Sequence, residues 1–148
     1  MPTPRGAIRV VIDTNVFVAN FLSHSPRSPN RRVVRLWMVE RRIRLAVSRE
    51  ILDEYLQIFA EVLGFNNEKL DKWRLRFGDK KSCKAVVPRT KPLISRDPND
   101  NMFIATALSA KAKFLITNDL DLLEIDDSDK ERLKFEIITP RGFLDQWG

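Results

Sequence analysis

"VVIDTNVFVANFL", residues 10–22, is the stretch on which the reading of the fold turns. It is apolar at nearly every position and would pass for one buried strand, except that Asp13, Thr14 and Asn15 interrupt it. A carboxylate in an apolar setting is expensive unless something compensates it. The β-branched run just before it, "IRVVID" (8–13), reads as a short buried strand that ends on that carboxylate.

Working outward, "NFLSHSPRSPNRR" breaks the pattern with Ser, Pro and Asn and marks a loop around residues 23–30. A helix is expected over about 31–42, with Val33, Val34, Leu36, Trp37 and Met38 as its apolar face and Arg31, Arg32, Arg35, Arg41 and Arg42 on the remainder. "IRLAVS" (43–48) is a second strand, and Ser48 is placed to cap the helix "REILDEYLQIFAEVL", which Gly64 stops. A further amphipathic helix spans roughly 67–78, and "KAVVP" (84–88) is a short strand ended by Pro88.

In "SRDPNDNMFIATALSAKAK" (95–113), Asp97 sits where an N-cap belongs, Pro98 suits the first helical position and Asp100 the third. The body of that helix is apolar nearly all round, so it belongs at the centre. "KFLITND" follows as a strand, then an acidic short helix and loop through Glu131, then the strand "FEIITP" and the closing helix "RGFLDQW". Strands alternating with helices predict a single α/β domain, with a central, mostly parallel sheet covered by helices on both faces. In such sheets ligands bind at the carboxyl ends of the strands.

Composition narrows the classes. The 148 residues suffice for one domain with its own core. The lone Cys83 excludes an intramolecular disulfide and a thiolate zinc site, and fits a reducing interior. No apolar run is long enough to span a bilayer and "MPTPRGAIRV" lacks a signal peptide's layout, so a cytoplasmic protein is expected. The net charge of +6 is uneven: residues 1–49 hold ten Lys/Arg against two acids, the rest sixteen against eighteen. A basic first third suits a nucleic-acid partner, and equally a well-solvated surface.

Asp13 closes the first strand, Asp119 stands just past "FLIT", and Asp100 heads the central helix, so all three are expected at one sheet edge. Asp53 or Glu54 could join them, since both lie off the apolar stripe of their helix. Carboxylates aimed at one place repel unless a cation neutralises them. Oxygen donors without cysteine, and with His24 alone in a Ser/Pro loop, favour Mg²⁺ or Mn²⁺. Each acid also has a plain structural reading. Asp100 and Asp97 can cap a helix, Asp13 a turn, and Asp119 and Asp121 the start of "LDLL", while Asp126, Asp127 and Asp129 read as a solvated loop. Trp37, Trp73 and Trp147 read as packing residues.

"VVIDTNVFVANFL", "VSREILDEYLQIF", "DPNDNMFIATALSAKAKFLITNDLDLL" and "IITPRGFL" together resemble the ordered landmarks of the PIN-domain family, in particular its compact bacterial members that serve as toxins of toxin–antitoxin pairs. The resemblance runs over essentially the whole chain; only residues 65–95 carry no landmark. It implies an endoribonuclease dependent on one or two Mg²⁺ or Mn²⁺ ions, with RNA as substrate and an antitoxin protein as partner; the sequence leaves oligomeric state open, a homodimer being unsurprising. It assigns Asp13, Glu54, Asp100 and Asp119 as catalytic metal ligands and gives Asn15, Thr117 and Asp121 supporting places. The arginine-rich helix would meet RNA or the partner, or pack its apolar face into the core and leave its arginines solvated.

Two rival readings remain. One is a non-catalytic PIN-like module that binds RNA or protein, against which the retention of all four acids argues. The other is a phosphotransfer domain phosphorylated on Asp13. That chemistry wants a second acid directly beside the first and a lysine after a later strand, whereas Lys113 precedes its strand.

Overall fold

The computed structural model describes residues 7–89 and 100–148. The elements run β1 (Ile8–Ile12), α1 (Thr14–Leu22), α2 (Pro29–Met38), β2 (Ile43–Val47), α3 (Arg49–Glu61), α4 (Asn67–Phe77), β3 (Cys83–Ala85), α5 (Asn101–Ala110), β4 (Phe114–Ile116), α6 (Leu120–Leu123), α7 (Asp127–Arg132), β5 (Glu136–Ile138) and α8 (Pro140–Gln146). The five strands form one sheet in the order β3-β2-β1-β4-β5, every neighbouring pair parallel. The expected α/β architecture is therefore present.

Right-handed crossovers place the helices between β1, β2 and β3 on one face and α5 to α7 on the other, because the chain crosses the sheet in opposite directions in its two halves. On the first face Phe17 of α1 is the hub, edge-on to Trp37, Tyr55, Phe59 and Phe77 with ring centroids between 4.9 and 6.0 Å away. α5 packs against β1, β2 and β4. Its Phe103, Ile104 and Ala107 are wholly or almost wholly buried, as expected of a central helix.

The structure moves several boundaries. Residues 14–22, whose apolar run resembled continued strand, form α1: Asp13 is the last extended residue (φ −66°, ψ 148°) and the helix starts directly after it. α2 ends at Met38 instead of continuing to 42. Arg41 takes a left-handed turn (φ 54°), and the Glu40 and Arg42 backbone N–H groups satisfy the helix's last carbonyls, on Arg35 and Leu36. Arg41 and Arg42 therefore lie off the helix that was to carry them. α5 stops at Ala110, closed by left-handed Lys111 and by the Ala112 N–H bonded to the Ala107 carbonyl. Asp97 and Pro98 lie outside the described residues. β3 pairs from Cys83, one residue before the expected start. Ser48 caps α3 through the Ile51 N–H, and Gly64 (φ 69°) ends the turn after it, both as expected.

Among the described residues no helix is long and apolar enough to cross a membrane.

Candidate functional site

β1 and β4 are the strands between which the chain's direction across the sheet reverses, so their carboxyl ends flank the crevice where such folds bind ligands. Ile12 lies opposite Ile116. The ladder continues one step, with the Asp13 N–H donating to the Ile116 carbonyl at 2.9 Å. Asp13 thus leaves one strand beside Thr117, which leaves the other.

Three acids meet at this edge. Asp13, Asp100 and Asp119 each offer a carboxylate oxygen, and these oxygens lie within 4.8 Å of one another. Asp13 and Asp100 are only 5% and 6% exposed. Asp100 stands directly before the first residue of α5, and its carboxylate lines the cleft. Asp119 keeps its own: Oδ1 accepts the Asp121 N–H at 2.9 Å and caps α6.

Glu54 stands outside that three-way cluster but in the same cleft, a cavity of about 450 Å³ whose lining includes all four acids. The Thr14 hydroxyl donates to Glu54 Oε2. Asp53, one residue earlier, is exposed and does not line the cleft. α3 is held in this rotation by Tyr55, fully buried, whose hydroxyl donates to the carbonyl of Ile12, the last residue of β1.

The supporting residues act on the acids directly. The Thr117 hydroxyl donates to Asp13 Oδ2 at 2.7 Å, and Asn15 Nδ2 donates to the same oxygen at 3.1 Å. Thr117 Oγ1 also accepts the Asp119 N–H at 2.9 Å, so one hydroxyl ties two of the acids together. Asp121 enters through its backbone N–H. Sequence reasoning passed over Thr14 and Tyr55. Thr14 lay in plain view within the interrupting triplet, whereas Tyr55 read as one more residue of an apolar face. It also passed over Asn118, whose N–H donates to Asn15 Oδ1 at 3.2 Å and whose side chain donates to Asn30 at the head of α2.

Burial pushes the Asp13 carboxyl up to about 6. The Thr117 hydroxyl and Thr14 N–H pull it back, while the charges of Glu54 and Asp119 raise it further. Its ionised form is thus disfavoured by the protein alone, and a cation at the three oxygens would relieve that cost. Neither histidine nor cysteine lines the cleft. The donor set fits a hard divalent ion of the Mg²⁺ or Mn²⁺ type. His24 is exposed, and Cys83 is buried in β3 with its thiol pushed up to about 12.

Of the five arginines expected on one helix, Arg32, Arg35 and Arg42 line one cleft and Arg31 and Arg41 do not. Arg32 and Arg35 are exposed on α2, with Arg31 half-buried beside them. Arg42 lies over the Trp147 ring at 4.9 Å, and Arg41 lines a separate hollow with Trp37 and Met38.

Among known proteins the chain is 30% identical, over 154 residues covering 95% of its length and 92% of the relative's, to the uncharacterized protein MJ1680 of Methanocaldococcus jannaschii. Two solved structures are distantly similar. One is a chain of VapBC2 from Rickettsia felis bound to a DNA fragment from their promoter (TM-score 0.49, 15% identity, 89% of this chain and 98% of that one). The other is the T. brucei RRP44 PIN domain (TM-score 0.46, 16% identity, 95% and 80%). The PIN domain family model matches residues 9–121, a span that takes in all four cleft acids, and the chain belongs to the PIN-domain family.

Proposed function

We propose that this chain is a divalent-metal-dependent endoribonuclease that hydrolyses RNA phosphodiester bonds. The observation that carries the reading is the convergence of Asp13, Asp100 and Asp119 at the switch point of the sheet, two of them buried, with oxygens close enough to share an ion. Asp13, Asp100 and Asp119 would hold Mg²⁺ or Mn²⁺, with Glu54 reaching it directly or through water. Such an ion supplies an activated water and stabilises charge developing on the phosphate.

The chain's own part is preorganisation. Thr117 and Asn15 fix Asp13, the Asp121 N–H fixes Asp119, and Thr14 fixes Glu54, so the acids do not have to reorient when the substrate arrives. Glu54, half-buried and at the side of the cluster, is placed to orient a water or take its proton. The phosphotransfer reading finds little support. No lysine lines the cleft among the described residues, and Lys113 lies at the amino end of β4, on the opposite edge of the sheet.

A role as the toxin of a toxin–antitoxin pair is part of the proposal. Leu22 and Val62, 60% and 57% exposed, form an apolar flank beside the acids that an inhibitory protein partner would cover.

The test is incubation of labelled single-stranded RNA, and of DNA of the same sequence, with Mg²⁺ or Mn²⁺, beside EDTA and Asp13→Asn controls. Cutting of RNA that requires the metal and falls by at least about 100-fold in the variant is expected. Metal-independent cutting that survives the substitution refutes the mechanism. An Asp13→Asn protein indistinguishable from the parent in every respect returns the chain to the non-catalytic reading.

A further inference from the structure

Five arginines come together in a cleft that the acidic site does not include. It lies between α2 and α8, measures about 630 Å³, and is lined by Arg27, Arg32, Arg35, Arg42 and Arg141, with Glu40 and Gly148 also on its wall. Four of them belong to one stretch, residues 27–42, and Arg141 to the first turn of α8, so the cluster joins two segments distant in sequence. Its floor is Leu36 and Leu144, 5% and 8% exposed. Glu40 reaches Arg35 at 3.9 Å and Asp145 reaches Arg141 at 4.0 Å. Both pairs are exposed and at the limit of ion-pair contact, so neither neutralises the cleft to any extent.

The position of this cleft matters as much as its charge. Asn30, in the first turn of α2, accepts the Asn118 side-chain N–H at 2.8 Å. The Asn118 backbone N–H bonds Asn15, which bonds Asp13. The head of α2 is therefore one short chain of amides away from the acids. α8 begins at the carboxyl end of β5, the same edge, where Thr139 caps it through the Gly142 N–H. α2 then leads to the amino end of β2, so the groove between the helices descends from the acidic edge to the opposite one. Ten helical residues make that path about 15 Å long. Arg27, Arg32 and Arg141 stand near its upper end, and Arg42, stacked over Trp147, at its foot.

We propose that the cleft between α2 and α8 seats the phosphodiester backbone of the RNA strand on one side of the cutting point. This rests on the nuclease reading above and adds where the substrate leaves the acids. Guanidinium groups strung along a path, each with a fork of donors, match successive phosphates. A protein partner would need a substantial apolar patch at the centre of its contact, and the two floor leucines are already buried. A strand crossing the acidic pocket must also be held beyond it, because the acids themselves repel phosphate.

The test measures binding of a labelled single-stranded oligoribonucleotide in EDTA, where nothing is cut, across a salt series. The parent is compared with Arg32→Ala/Arg35→Ala/Arg141→Ala and with Lys69→Ala/Lys72→Ala/Lys80→Ala, which removes the same charge from exposed positions outside the cleft. The arginine variant is expected to lose at least about tenfold in affinity and to flatten the salt slope by about 2, at roughly 0.7 per lost phosphate contact. The lysine variant is expected to stay within about twofold of the parent. Unchanged affinity and slope in the arginine variant, or equal loss in both variants, overturns the proposal. Retained RNA affinity with lost binding of poly-glutamate overturns it in favour of an acidic protein partner. Cutting by the parent in Mn²⁺ is measured alongside. If the parent cuts and the arginine variant binds RNA normally, only the cleft assignment fails; if the parent cuts nothing, the nuclease reading fails and the binding series still decides the cleft.

Discussion

The substitution Asp13→Asn, expected to abolish activity, is also expected to stabilise the metal-free protein. Burial and the charges of Glu54 and Asp119 push the Asp13 carboxyl up to about 6. An ordinary aspartate sits near about 3.9, and at about 1.4 kcal/mol per decade of proton affinity, ionising Asp13 in the fold costs about 3 kcal/mol. The folded state holds this proton more tightly than the unfolded chain. Stability from this group is therefore fully present below about pH 4 and lost as pH rises through about 6. Asparagine carries no charge to lose. Its one amide oxygen can still accept from both donors now on Oδ2, Thr117 and Asn15, but an NH₂ group replaces the second carboxylate oxygen as an acceptor, at a cost of about 1 kcal/mol. The net gain near pH 8 is about 2 kcal/mol, a rise in Tm of about 6 °C for a chain of this size. Thermal unfolding of parent and variant in EDTA, near pH 5 and near pH 8, reads this out. Glu54 and Asp119 are present in both proteins, so the difference between the two isolates Asp13. The gap should shrink toward pH 5. Millimolar Mn²⁺ should reverse it, since an ion at about 100 times its Kd adds about 2.7 kcal/mol to the parent alone. A variant that melts below the parent in EDTA near pH 8, or a gap indifferent to Mn²⁺, would refute the argument that a cation compensates this carboxylate.

Glu54→Gln is expected to lower kcat by at least about tenfold with little change in Tm, while Asp53→Asn, on an exposed position, leaves cutting at the parent's rate; equal effects in cleavage assays would unseat Glu54. Phe17→Ala empties the hub of four aromatic contacts and should cost about 3–5 kcal/mol in urea unfolding, whereas a loss below about 1 kcal/mol would mean the cluster is not the keystone of that face. Cys83, buried and with its thiol pushed up to about 12, should resist thiol reagents near pH 8 until urea unfolds the chain; rapid labelling of the native protein would contradict its burial.

What could be read from the sequence, and what could not, divides on a physical line. Asp13 and Asp119 were legible because one ends an apolar strand and the other follows one closely, and parallel strands deliver their carboxyl ends to one edge whatever the details of packing. Asp100 was legible as a helix head, although only the structure shows its carboxylate beside those of Asp13 and Asp119. The choice between Asp53 and Glu54 was not available to periodicity. Adjacent helical residues differ by about 100° in direction, and both fall outside the apolar stripe. What fixes the rotation of α3 is the Tyr55 hydroxyl on the Ile12 carbonyl, a polar contact made by a residue that patterning counts as hydrophobic. α1 was illegible for a related reason. Phe17 faces the aromatic cluster while Val18 and Leu22 face the cleft, so the helix is apolar on both sides and shows no period. The end of α2 turns on the backbone of Arg41, and an arginine at positive φ leaves no compositional mark of the kind a glycine would. The arginine cleft was lost with it, since Arg27 and Arg141 join Arg32 and Arg35 only once α2 and α8 lie side by side. Local pattern thus places the acids because strand and helix ends place them, but a binding path assembled between two helices exists only in the packed molecule.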